Sequence, residues 1–265
     1  MCEAKHESIL SSLNRDGYVL VKKFINSKTD LHCLIDAANR IVNSVCENEQ
    51  ITKRMRVNGH HKRKRARTWG IDDFLCDFRI DELRLLDSSD LLLLAKRYFS
   101  RQDISLGLNR IHLQRLEYLH KLFWHHDADR FNTNLVANIY LAPEIGFRLM
   151  RKNHPINNET NLVSVSRGEY FSLLRGYQTI EADQGDLLLF DGRLFHQPYN
   201  RKKRLHLHFV FTRNSNLPAI DRFSNYKFSC EDRNTPVTHG GSFVLTKIRQ
   251  FVKVVLDVVE RNFIH

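Results

Sequence analysis

Gly185-Asp186-Leu187-Leu188-Leu189-Phe190-Asp191-Gly192-Arg193-Leu194-Phe195-His196 is the stretch from which the fold can be read. Gly-Asp is a tight-turn pair, and the short unbroken apolar run behind it suits a strand covered on both faces. Asp191-Gly192 closes that strand and carries the chain on to His196. Outward from it the same signature recurs. Arg110 to Leu116 and Asn134 to Leu141 alternate, and Gly146 to Met150, Gln178 to Ala182 and Arg204 to Thr212 supply further short strands. Strands of this length with turn residues between them predict a sandwich or barrel. Helical spacing is confined to the first hundred residues and the end of the chain. Residues 6–13, Thr29 to Val45 and Ser88 to Phe99 read as helices, with a strand at Tyr18–Val21 after the Asp16-Gly17 turn. The segment 52–68 breaks the pattern and is expected to be a loop. Residues 214–241 are polar and turn-rich, and Ser242 to Asn262 reads as an amphipathic helix.

The residues bearing chemistry cluster around this strand set. In Trp124-His125-His126-Asp127, His125 and Asp127 lie two apart, so on a strand both project from one face while His126 turns away. With His196 from a neighbouring strand they offer two nitrogens and a carboxylate on one side of a metal. Open positions remain opposite, the donor pattern of non-haem Fe(II) oxygenases. Eight residues beyond His196, Arg204 opens a strand, and its planar fork suits the far carboxylate of a dicarboxylate co-substrate; Arg201 is also near. A His-x-Asp triplet alone is a weak signal in a chain with 14 histidines. A rival centre lies on that strand: alternation puts Arg204, His206, His208 and Val210 on one face and Leu205, Leu207, Phe209 and Phe211 on the other. Four readings stand for His206 and His208: a metal-binding pair, groups that shape the pocket, partners of the substrate, or hydrogen-bonded interior histidines, the last preferred for His208 and His206 left open.

Trp-His-x-Asp, then Gly-Asp-(apolar)-Phe-Asp-Gly-Arg leading to His196, then a following Arg, resembles the Fe(II)/2-oxoglutarate dioxygenases related to phytanoyl-CoA hydroxylase. Weaker echoes are Arg15-Asp16-Gly17-Tyr18-Val19-Leu20-Val21 and Gly146-Phe147-Arg148-Leu149 leading to Asn153-His154. The likeness runs over roughly residues 8 to 213. It implies an α+β fold with a double-stranded β-helix (jelly-roll, cupin-like) core and helices packed on one sheet. It further implies Fe(II) bound by His125, Asp127 and His196, with 2-oxoglutarate as co-substrate held by Arg204. Two departures touch the co-substrate pocket: Pro198 where a small hydroxyl residue is common, and His206 where Ser or Thr is common. Asp127 retains the carboxylate that halogenases of the same family lack, which favours hydroxylation of an unactivated C–H bond. The expected organisation is a catalytic domain over 1–213, its strand core at about 105–213, and an extension over 214–265 ending in a helix.

Composition narrows the partners. The 265 residues, 42% hydrophobic and 27% charged, fit one globular domain with embellishments. Five scattered cysteines form no Cys-x-x-Cys pair, so neither a zinc ribbon nor a disulfide scaffold is suggested. The beginning of the chain lacks an apolar signal core, and the expectation is a cytoplasmic protein. A formal net charge of +11 favours anionic partners. It is densest in Lys53-Arg54-Met55-Arg56 and Lys62-Arg63-Lys64-Arg65-Ala66-Arg67. The expected substrate is a small molecule, anionic or linked to lipid or glycan. Peripheral membrane contact would run through this basic segment or the last helix. A nucleic-acid-directed dioxygenase is disfavoured, since Arg204 and Arg213 are spaced too widely for the paired arginines of such enzymes. A catalytically idle jelly-roll serving as a binding scaffold is the remaining alternative.

Overall fold

The computed structural model describes residues 3–47, 55–56, 68–72, 74–76, 78–114, 120–121, 124, 134–153, 176–200, 203–213, 217 and 219–224. His125, Asp127, most of the basic segment and the expected terminal helix lie outside these residues.

The chain begins with α1 (Glu3–Asp16), β1 (Tyr18–Val21) and α2 (Lys28–Glu47), then β2 (Met55–Arg56) and β3 (Thr68–Asp72). A 3-10 turn at Phe74–Cys76, α3 (Ile80–Asp87) and α4 (Leu91–Phe99) lead into the strand-rich part. There follow β4 (Ser105–Gln114), β5 (His120–Lys121), β6 (Asn134–Tyr140), β7 (Glu144–Met150) and β8 (Tyr177–Ala182). β9 (Leu187–Asp191), β10 (His196–Gln197), β11 (Tyr199–Asn200) and β12 (Arg204–Thr212) complete the set. Seven strands form one antiparallel sheet in the order β1-β9-β6-β12-β4-β3-β2. β10, β7 and β8 form a second, and β11 pairs with β5. These antiparallel sheets with helices on one side have the layout of a β-rich jelly roll.

Alternation decides which face meets what. From β12, Leu205, Leu207, Phe209 and Phe211 join Leu135, Ala137 and Ile139 of β6 in a core shared with the apolar faces of the four helices. Residues of opposite parity point between the sheets. Val136, Tyr140, Leu188, Phe190 and Val210 meet Phe147, Leu149, Ile180 and Ala182 of the small sheet. The Leu91-Leu92-Leu93-Leu94 run buries three of its four side chains, leaving Leu93 42% exposed. The expected loop at 52–68 is interrupted at both ends by strand. Met55 and Arg56 pair with Ile71 and Gly70, extending the large sheet beyond what the sequence pattern predicts. α3 is likewise absent from that pattern, its eight residues being too few to show a helical period. Beyond β12, Ile220 N–H donates to Ile104 C=O at 2.8 Å, and the Phe223 ring packs on Phe209.

The Gly185-Asp186 turn behaves as its sequence implies. Gly185 has φ +83°, and a Cβ there would come within 2.6 Å of the Ile25 carbonyl oxygen, so glycine alone fits. The buried Asp186 carboxylate accepts from the Lys23 and Asp183 backbone N–H groups, each at 2.8 Å, and from Lys22 Nζ. This ties the turn to the end of β1.

Candidate metal centre

His196 stands opposite Leu149 in the small sheet and is 3% exposed. Its ring stacks on Phe147 (centroids 5.6 Å apart) and meets Phe190 edge-on (5.0 Å). Nδ1 lies 3.0 Å from the Leu194 carbonyl oxygen. A carbonyl only accepts, so Nδ1 carries the proton, and in the neutral ring the lone pair sits on Nε2. An imidazole fixed in this way by a backbone carbonyl is the form that binds metals.

The carbonyl is itself held in place. Leu194 N–H donates to Asp191 C=O at 3.0 Å, closing the Asp191-Gly192-Arg193 turn. The Asp191 carboxylate receives the Arg193 backbone N–H at 3.0 Å, the Arg193 guanidinium, and the Tyr98 hydroxyl of α4 at 3.1 Å. Burial, then the Asp191 charge, raise the Tyr98 pKa, so the phenol stays a donor. The turn that sequence reading treats as a strand end therefore also orients the histidine.

Arg204 begins β12 and is buried, with Nε 2.9 Å from Glu144 Oε2. The contact is an ion pair without hydrogen-bond alignment. Burial pushes the Glu144 carboxyl up from its usual range, and the Arg204 charge opposes that shift without cancelling it. Nothing in Pro143-Glu144-Ile145 signals this partnership, which joins residues from the two sheets.

The inner face of the large sheet carries a second group. His206 lies directly across from His112 on one side and Tyr140 on the other. His208 lies across from Asn138, and its Nδ1 is 2.7 Å from Asn138 Oδ1. The interior placement and hydrogen bond expected for His208 are thus present. The rings of His112 and His206 are 4.7 Å apart, and those of His112 and His208 5.2 Å. One ring nitrogen from each of the three falls within 4.8 Å of the others. His112 titrates well below the usual histidine range, chiefly through burial and then through His206 and the nearby Arg110. Arg110 is engaged by Asp72 on β3. Sequence reading singled out His206 and His208 and missed His112. The one signal was the parallel between Arg110-Ile-His-Leu and Arg204-Leu-His-Leu.

Of the four residues expected to form the site, the structure therefore places His196 and Arg204 in buried positions, while His125 and Asp127 fall outside the described residues. No family model and no curated protein matches this chain. Solved structures do. The non-heme alpha ketoglutarate dependent epimerase SnoN from nogalamycin biosynthesis aligns over 79% of this chain and 83% of its own, at 18% identity and TM-score 0.59. AviO1 from Streptomyces viridochromogenes Tue57 covers 83% of this chain and 100% of its own, at 14% identity and TM-score 0.63. EctD from S. alaskensis, with bound Fe, covers 84% and 80%, at 15% identity and TM-score 0.61. At such identities the likeness establishes a shared fold.

Proposed function

We propose that this chain is a non-haem Fe(II)/2-oxoglutarate-dependent oxygenase, with iron held by His125, Asp127 and His196. The observation that carries the reading is His196. Its Nδ1 is tied to the Leu194 carbonyl and its ring is clamped by Phe147 and Phe190, leaving Nε2 in ligand form inside a dry wall. The donor fits ferrous iron, and the fold is one on which SnoN and EctD are described with iron or alpha ketoglutarate. Asp127 would add the anionic ligand. When bound, iron with 2-oxoglutarate and dioxygen would supply oxidative decarboxylation to succinate and carbon dioxide, one oxygen atom entering succinate and the other hydroxylating an unactivated C–H bond of the substrate.

The chain's own residues have three tasks. His196 fixes one donor without further reorganisation. Phe147 and Phe190 exclude water from its flank. Arg204 offers a cation to the far carboxylate of 2-oxoglutarate, which would share or displace the ion pair with Glu144. The net charge of +11 supports a small anionic substrate. Peripheral membrane contact through the basic segment remains part of this proposal. None of the described helices is long and apolar enough to cross a membrane.

The test is anaerobic addition of Fe(II) and then 2-oxoglutarate to the purified protein, followed by the weak visible charge-transfer band of the chelate. The band is expected in the wild type, absent in Asp127→Ala and His196→Ala, and weaker in Arg204→Ala. A folded wild type without the band, or an Asp127→Ala variant that keeps it, overturns the assignment in favour of a binding scaffold.

A further inference from the structure

We propose that His112, His206 and His208 form a second metal site, holding a divalent first-row transition ion through three imidazole nitrogens on the inner face of the large sheet. The three histidines stand on the large sheet and His196 on the small one, and the proposal does not rest on the oxygenase reading.

Strand geometry brings the donors together. His206 and His208 are two apart on β12 and share a face, and antiparallel register sets His112 of β4 directly beside His206. Each offers a ring nitrogen, and the three lie within 4.8 Å of one another. Tetrahedral coordination at ordinary zinc–imidazole lengths spaces such nitrogens about 3.4 Å apart.

A second feature is the partner of His208. Asn138 Oδ1 accepts from Nδ1 at 2.7 Å, which assigns the lone pair of the neutral ring to Nε2. An outer residue that fixes tautomer and orientation is what metal-binding histidines require. A third is the neighbouring hydroxyl. Tyr140, opposite His206 on the same face, is fully buried, and its hydroxyl lies by the Asn138 amide without a well-formed hydrogen bond. A water in the fourth position of a three-histidine site would give it a partner. Among the described residues the carboxylates beside the nearby arginines are engaged, Asp72 with Arg110 and Glu144 with Arg204. A neutral nitrogen set of this kind favours Zn(II), with Co(II) as its spectroscopic substitute.

The experiment is titration of the chelator-stripped full chain with Co(II) under anaerobic conditions, reading visible absorption and bound metal per chain, with Zn(II) competition. Wild type is expected to bind two equivalents. His206→Gln and His112→Gln should each bind one fewer while keeping the equivalent that His196→Ala removes. Asn138→Ala should weaken the second site by about 10- to 100-fold. A His206→Gln protein with full stoichiometry overturns the proposal. So does a single equivalent lost in both His206→Gln and His196→Ala, which would mean one shared ion. If wild type binds one equivalent that His206→Gln removes and His196→Ala does not, this site stands and the iron reading falls. Should His206→Gln fail to fold, as judged by circular dichroism, Asn138→Ala decides: unchanged affinity in that variant refutes the site.

Discussion

Replacing Arg204 with Leu isolates the buried ion pair between the two sheets. The Glu144 side chain is 0% exposed and the Arg204 side chain 4%. Removing one partner from such a pair leaves an uncompensated interior charge, which costs about 3–5 kcal/mol at neutral pH. With a urea dependence of roughly 2–3 kcal/mol per molar for a chain of this size, the unfolding midpoint should fall by about 1–2.5 M. The pH dependence follows from Glu144. Burial holds its carboxyl above the ordinary value of 4.5, so at pH values just above 4.5 the folded state binds more proton than the unfolded chain. The associated stability is complete below the unfolded pKa and is lost as pH rises through the folded one. Without Arg204 the charged form loses its partner, the folded pKa climbs further, and the protonated acid becomes the resting state. The gap between wild type and Arg204→Leu should therefore narrow towards pH 4–5 and widen towards pH 8, on the order of the same few kcal/mol. Arg204→Leu with Glu144→Leu should recover most of the loss, because neither charge is then buried. Urea unfolding across this pH range, followed by circular dichroism, is the assay. A pH-independent gap, or a double variant no more stable than the single one, would refute the argument.

Two further outcomes test the scaffold. Tyr98→Phe removes the hydroxyl that donates to the buried Asp191 carboxylate. Because Arg193 still neutralises that charge, the expected loss is about 1–2 kcal/mol, read by thermal unfolding; no measurable change would show that the hydroxyl does not brace the turn. Phe209→Ala empties a fully buried position between Phe74 and Phe223 on the helix side of the large sheet. It should cost about 3–5 kcal/mol in urea unfolding, and a loss below about 1.5 kcal/mol would contradict that packing.

The strand pattern was readable because its cause is local. Gly185 is required by its own backbone conformation, and β9 and β12 carry their faces in a period of two. That period puts Arg204, His206 and His208 on one face of β12. Short elements left less trace. β2 has two residues and α3 eight, neither long enough for a period to rise above chance, so the basic segment read as uninterrupted loop.

What sits opposite an inward residue is a different kind of information. That His112 meets His206 and that Glu144 reaches Arg204 depend on register and on how one sheet covers the other. The sequence by itself determined which side chains share a face of a strand, since parity along a strand is a property of neighbouring bonds. Only the tertiary structure decided which of them share a ligand, a charge or a proton, because those pairings join residues up to about a hundred positions apart through packing that no local pattern records.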